Sequence, residues 1–509
     1  MREGVVLMGD TGTGPDGVWA GVDVGTQSVR VTLVDDAGAT RGTGSAPLES
    51  RRADGRHEQD PESWWSAFGA ACRQATADAP APVRGLAIDS TSGTFLLTDL
   101  DGRPRTTALM YDDARAAAEV RDVLDAGADL WATLGYAMQR TWALPKLVWL
   151  LRHDAALRAD AAAGRLRFAH QADHLAARLT RGPVAADWSH ALKTGYDLDA
   201  GAWPTAVLDQ LGVPAGLLPD VVRPGADLGT VCPASAEHTG LPAGIPVRAG
   251  MTDGCAAQLA AGALTEGSWN AVLGTTLVLK GVTAQRLTDP GGAVYSHRHP
   301  DGGWLPGGAS SSGAGAIAAR YPGLGHAELD ALAERARRYE PAGALCYPIA
   351  VPGERFPFVD PAAEPFVVGR PADDADRYAA LLQGVAFVER LSYAYLRALG
   401  ARTDGPVTLT GGGARSAYWN QVRADVLGRP LRVPADAEPS VGMAVLAAAG
   451  TGSVAATAAR MARRYVEVTP REGARFAEAY AGFVAELRRR GSIDGALADA
   501  ARLDAEVTA

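Results

Sequence analysis

The sequence predicts an α/β protein of two similar halves flanking a cleft. Three observations predict it. The chain has 509 residues, too many for one compact core. A strand, Gly-Thr turn, strand pattern occurs around Gly25-Thr26, and the same pattern restarts around Gly274-Thr275-Thr276.

Residues 1–17 are rich in Gly and Thr and lack periodicity, which predicts a flexible extension. Gly12 to Gly17 is a formal GxGxxG match, but it precedes a strand and contains a proline, the wrong context for a dinucleotide site. Val18–Val24 and Ser28–Val34 are β-rich runs around Gly25-Thr26-Gln27, followed by a turn at Asp35–Gly38 and a third run. Asp60-Pro61 is a helix start, with the acid as cap and the proline at the first helical position. Val83–Ile88 reads as a buried strand ending in Asp89-Ser90-Thr91-Ser92-Gly93, and Pro145–Leu151 as a helix opened by its proline. In the second half, Ser268–Leu273 and Leu277–Lys280 are strands around the Gly-Thr-Thr turn. Pro406–Thr410 leads into Gly411-Gly412-Gly413 and a helix over Ser416–Leu427. The expected division is an extension over 1–17, a first domain over 18–249, a second over 250–490, and an Ala-rich tail over 491–509, helical or loose.

The net charge of −9 argues against a nucleic-acid surface. Cys72, Cys232, Cys255 and Cys346 are far apart, which fits a reducing compartment and excludes a thiolate zinc site on spacing. No apolar run is long enough to cross a bilayer and the first residues lack a basic-then-apolar signal pattern, so a cytoplasmic location without a membrane partner is expected.

Phosphoryl transfer needs donors around the phosphates, a metal, and a base aimed at the attacking hydroxyl. Gly-Thr turns supply donors, because glycine admits close backbone approach and threonine adds a hydroxyl. One such turn is common in hairpins; two on matching strands are suited to gripping phosphates from both sides of a cleft. No GxxxxGK[ST] occurs. Asp253, after a strand and flanked by glycines, suits either a general base or a helix cap. Asp23 suits either a turn or a Mg²⁺ site.

Asp23-Val24-Gly25-Thr26, Gly250-Met251-Thr252-Asp253, Leu273-Gly274-Thr275-Thr276 and Gly411-Gly412-Gly413 occur in the order found in the FGGY carbohydrate kinases, and the chain resembles that family from about residue 18 to 485. Lys146–Leu150 matches the core of a further signature, from which Thr141 and Ala143 depart upstream. The resemblance implies two ribonuclease-H-like domains of the actin and hexokinase type, closing around Mg²⁺-ATP and a small sugar. It implies Asp253 as general base, Asp23 beside Mg²⁺ and the sugar, Gly25 and Thr26 with Gly274, Thr275 and Thr276 at the phosphates, and Gly411, Gly412 and Asn420 on the adenosine side. Either a monomer or a homodimer is compatible.

Xylulokinases of this family place Met-His after the strand equivalent to Val83–Ile88, and glycerol kinases Arg-Glu; this chain has Ser92-Gly93. Together with Leu109–Asp113, Asp187–Asp197, Val294–Arg298 and Gly353–Pro357, that loop resembles the D-ribulose kinases of cyanobacteria and plants. The resemblance implies Ser92 at the sugar with Asp23 and Asp253, and D-ribulose as acceptor; the alternatives are a xylulokinase or other pentulose or polyol kinase, a non-catalytic sugar sensor, and an actin-like ATPase. Other residues read as structural: His170 and His174 lack a third metal ligand, Trp64, Trp65, Trp142 and Trp149 read as packing, Ser310–Ser312 as a turn, and Glu354-Arg355 as an ion pair.

Overall fold

The computed structural model describes residues 17–507 except 78, 80, 462, 463 and 474. The Gly12–Gly17 motif and the expected extension therefore lie outside the described residues, save Gly17.

Two sheets carry the architecture. In the first, Val18–Val24 pairs antiparallel with Ser28–Asp35, which pairs antiparallel with Thr40–Pro47. On its other side Val18–Val24 runs parallel to Val83–Ser90, then comes Pro246–Arg248, and the antiparallel Asp227–Thr230 closes the edge. The second sheet repeats this order. Trp269–Leu273 pairs antiparallel with Leu277–Gly281, and that strand with Trp304–Ala309. On the other side Trp269–Leu273 runs parallel to Val407–Thr410, followed by Leu431–Pro434 and the antiparallel Tyr465–Val468. One strand, Tyr295–Arg298, is added at the far edge. Alternation explains why the central strands read so clearly. Val22 and Val24 enter one core and Ala271 and Leu273 the other, leaving Asp23 and Val272 on the opposite faces.

The helices stand largely where the sequence places them. Asp60 accepts from the Glu62 amide and Pro61 opens the helix to Thr76. Ser416 accepts from the Trp419 amide and caps Ala417–Leu427. The helix expected to open at Pro145 begins at Ala143; Pro145 still falls in the first turn, where a missing N–H costs no intrahelical bond. The Ala-rich tail, expected to be helical or loose, is helical. Gly495–Val507 is a helix whose Leu497, Ala498 and Ala501 join the second core, and Arg390 holds Asp504 at 2.8 Å.

The two halves share a third core. The helix Pro439–Ala449 crosses the first sheet so closely that a methyl group on Gly21 would stand 1.6 Å from the Ser440 carbonyl oxygen. The helix Asp253–Ala261 packs against it, where Gly442 permits contact with the Ala256 backbone. Trp19, Ala87, Met251, Leu259, Val445 and Leu446 fill the space between. Pro439–Ala449 is thus apolar because it is buried, and among the described residues no single helix is long and apolar enough to cross a membrane. A smaller sheet in the first half, ordered Arg51–Ala53, Arg56–Gln59, Ala108–Leu109, Phe95–Asp99 and Leu166–His170, carries the loops over the cleft.

Candidate active site

Three carboxylates converge where the first sheet's central strands end. Asp23 and Asp89 are register partners on parallel strands, so both side chains leave the same face. Asp89 is fully buried and neither of its oxygens has a partner outside this cluster. Burial, reinforced by the negative charges of Asp23 and Asp253, lifts it well above the ordinary carboxyl range. Burial also pushes Asp23 up to about 6, with Asp253 adding to the shift while interaction with Asp89 and Arg30 opposes it. Arg30 lies 3.7 Å from Asp23 and 3.3 Å from Glu438, linking the site to the start of Pro439–Ala449.

Asp253 is the third member. Gly250 lets its segment lie against Val83–Ser90, where a Cβ would meet the Ile88 carbonyl at 1.8 Å. Thr252 bridges to Ser90 and takes the N-cap position, so Asp253 is the first helical residue. Of the two roles open to it in the sequence, the cap belongs to its neighbour. The Asp253 carboxylate is partly exposed, accepts from the Gly254 amide at 2.6 Å, and sits at the positive end of the helix.

A buried network supports this end of the sheet. Asp187 accepts from the Ser189 amide and hydroxyl and pairs with His190 Nδ1. Ser189 Oγ accepts from the Thr252 amide at 2.9 Å, and His190 Nε2 meets Ser90 Oγ at 2.9 Å. Burial alone favours a neutral His190 ring, but the Asp187 carboxylate outweighs it and raises the imidazole above its ordinary value. Asp89, Ser189 and His190 were not read as site residues in the sequence. For Asp89 a signal existed, since it ends a second strand in the same half as Asp23; Ser189 and His190 lie in the Asp187–Asp197 stretch that carries the resemblance, but nothing local gave either a role.

Ser92 lies in the loop after Asp89, and its hydroxyl is buried without a partner. Lys146, fully buried, donates to the Gly93 and Met110 carbonyls at 2.8 and 2.7 Å, fixing both loops that border the cleft. Tyr111, 40% exposed, faces Thr26 and Asp253.

In the second half the Gly274 amide donates to Thr276 O at 3.0 Å, and the amides of Ala314 and Gly315 donate to the Gly274 and Thr275 carbonyls. Glu354 buttresses the segment before them. It is buried, accepts from Ser310 Oγ, Tyr347 OH and the Ser311 amide, and so is not the ion pair with exposed Arg355 that its sequence suggests. Gly411, with φ of 83°, passes against Leu273, and a side chain on exposed Gly412 would meet nothing within 4 Å. Asn420 sits behind this turn rather than on the cleft, 3% exposed and donating to Ala414 O at 2.6 Å.

These residues fit Mg²⁺-ATP. The open faces at Gly25, Gly274 and Gly412 leave room for phosphates and a nucleoside. Asp23, with Asp89 beside it, offers hard oxygen donors. Among the described residues no group of three or more His, Cys, Asp or Glu is arranged to hold a metal alone, as expected for an ion that takes most of its ligands from phosphate and water. The histidine pair is structural: His170 binds Asp173 and Thr194, and His174 is buried beside Trp64. Trp64 and Trp142 are core, while Trp65 stacks on His238 and Trp149 on His153.

Residues 18–260 match the N-terminal domain of the FGGY family of carbohydrate kinases, and residues 269–451 match its C-terminal domain. The chain is 32% identical over 453 residues to a xylulose kinase of Streptomyces coelicolor, covering 86% of this chain and 89% of the relative. It is 30% identical over 445 residues to the xylulose kinase of Escherichia coli, covering 84% and 89%. The crystal structure of a xylulose kinase from Rhodospirillum rubrum superposes with a TM-score of 0.82 at 26% identity, covering 93% of this chain and 99% of that one.

Proposed function

We propose, for a chain that belongs to the FGGY family of carbohydrate kinases and is thus an ATP-dependent sugar kinase, that the acceptor is the terminal hydroxyl of a 2-ketopentose. The observation that carries the reading is the partly exposed Asp253 carboxylate at a helix N-terminus, beside two buried carboxyl groups. The ketopentose follows from the xylulose kinases among its relatives, and those relatives favour D-xylulose over the D-ribulose expected from the loop resemblance. D-Ribulose remains as a second reading because Ser92-Gly93 replaces the Met-His of xylulokinases.

Asp253 accepts the proton of the terminal hydroxyl as its oxygen attacks the γ-phosphorus in line. The Ser189–Thr252 hydrogen bond and the helix start hold that carboxylate in place. Asp89, whose burial disfavours its charged form, stands behind Asp23, which faces the sugar and the metal. The turns at Gly25-Thr26 and Gly274-Thr275-Thr276 hold the phosphates from opposite sides, with Gly411 and Gly412 toward the nucleoside. Mg²⁺, when bound at Asp23, neutralises charge on the phosphates.

A coupled ADP-release assay across D-xylulose, D-ribulose, L-ribulose, ribitol and glycerol tests the reading. A strong preference for either D-ketopentose supports it, and the winner decides between the two. A preference for glycerol or ribitol defeats the ketopentose and leaves the kinase.

A further inference from the structure

A 2-ketopentose that reacts through O5 cannot use that oxygen to close its furanose ring. It must bind in the open form, presenting a free C2 carbonyl some way along the chain from the attacking oxygen. Asp253 serves one end of such a sugar, and nothing described so far serves the carbonyl.

Lys193 stands at the sugar loop, in the turn Leu192–Thr194 that follows His190. Its aliphatic stem runs past Gly93, whose added Cβ would lie 3.6 Å from Lys193 Cδ. The residue is partly exposed, and among the described residues its ammonium makes no hydrogen bond or ion pair. Three other cations of this region are engaged. Lys146 is bound to two carbonyls, Arg30 to Asp23 and Glu438, and Lys280 to His297. Beside Lys193, the Ser92 hydroxyl is buried with no partner. A buried hydroxyl left unpaired costs stability unless a ligand completes it. The second half closes the other side, since Trp188 donates to the Arg298 carbonyl at 3.2 Å and brings the strand bearing His297 against the segment that leads to Lys193.

We propose that Lys193 is a specificity-determining residue that donates to the C2 carbonyl oxygen of the open ketopentose, with Ser92 Oγ pairing a neighbouring hydroxyl. The inference rests on the proposed function above. An ammonium donor rewards a carbonyl acceptor more than the hydroxyl of the corresponding pentitol, because hydrogen bonds from charged donors are the stronger ones. Lys193 thereby separates ketoses from polyols, a distinction Asp253 cannot make because both offer the same terminal hydroxyl.

The test measures kcat/KM for the preferred ketopentose and for its pentitol in wild type, Lys193→Met and Lys193→Arg, with melting temperature and ATP KM as controls. The ratio of ketose to pentitol is expected to fall at least about tenfold in Lys193→Met, through KM rather than kcat, and to recover in part in Lys193→Arg. ATP KM and melting temperature should stay near wild type, since the methionine stem can retain the contact with Gly93. An unchanged ratio overturns the inference, as does an equal loss for ketose and pentitol. So does wild-type preference for an aldonate that Lys193→Met abolishes, which would assign the ammonium to a carboxylate. If wild type turns over no ketopentose at all, the proposed function falls instead, and the same assay shows that before any variant is made.

Discussion

The two sheets share one strand order and differ in chemistry at the register pair that stands two residues before each Gly-Thr turn. In the first half the pair facing the cleft is Asp23 with Asp89; in the second it is Val272 with Thr410. Both precede a turn rich in Gly and Thr or Ser, and both lie opposite residues that fill a core. The acidic pair suits a hydroxyl and a divalent cation. The neutral pair lets phosphates approach a Gly-Thr-Thr turn without a carboxylate to repel them. One topology thus carries two chemistries, chosen by two residues per sheet. The crossing helices differ in the same spirit. Gln171–Thr180 buries His174 with its Nε2 unpartnered, whereas Asp374–Ala398 buries Glu389 against Arg423, both fully inaccessible and 2.6 Å apart.

Erasing the difference between the sheets should have the largest effect. Val272→Asp would set a carboxylate toward the phosphates, and repulsion of several kcal/mol is expected to lower kcat/KM for ATP at least about hundredfold; pre-steady-state ATP binding would show it, and unchanged ATP affinity would break the comparison. Removing one partner of the buried pair comes next. Glu389→Gln should cost about 3–5 kcal/mol in urea unfolding, because it strands the Arg423 charge. A smaller effect is expected from Lys146→Met, which frees the Gly93 and Met110 carbonyls. The sugar KM should rise about tenfold while ATP KM holds, since both loops belong to the first half. The smallest is a pH effect. Burial pushes His174 down to about 4 from an ordinary 6.5, so the unfolded chain binds the proton that the folded chain refuses. Stability from this group is therefore full above pH 6.5 and is lost as pH falls toward about 4. The melting temperature of His174→Gln should fall less steeply over that window than that of wild type.

Much of this was legible in the sequence because strand ends punctuated by Gly-Thr are local signals. Gly25, Gly274 and Gly411 stand where their neighbours predict, and the repeated strand order follows from the repeated pattern. Asp253 was ambiguous because a base and a cap occupy the same kind of strand-to-helix corner; the backbone gives the N-cap position to Thr252 and leaves the base as the role proposed for Asp253. Asp89, His190 and Lys193 could not be assigned from local pattern. Asp89 meets Asp23 only through strand pairing, and His190 reaches Ser90 across 100 residues of sequence. Lys193 drew notice because it has no partner among the described residues, which only the packed structure reveals. Asn420 and Glu354 show the converse. Each lies in a motif-like stretch, yet burial turns both inward to hold the loops that face the cleft.

The division of labour between the sheets rests finally on Asp253. Asp253→Asn keeps the shape and the helix start but removes the proton acceptor. Rapid-quench turnover, with sugar and ATP binding measured by calorimetry on the same preparation, tests it directly. The account predicts a loss of at least about 10²–10⁴-fold in the chemical step with both ligands still bound within a few-fold of wild type. Near-wild-type turnover would contradict it.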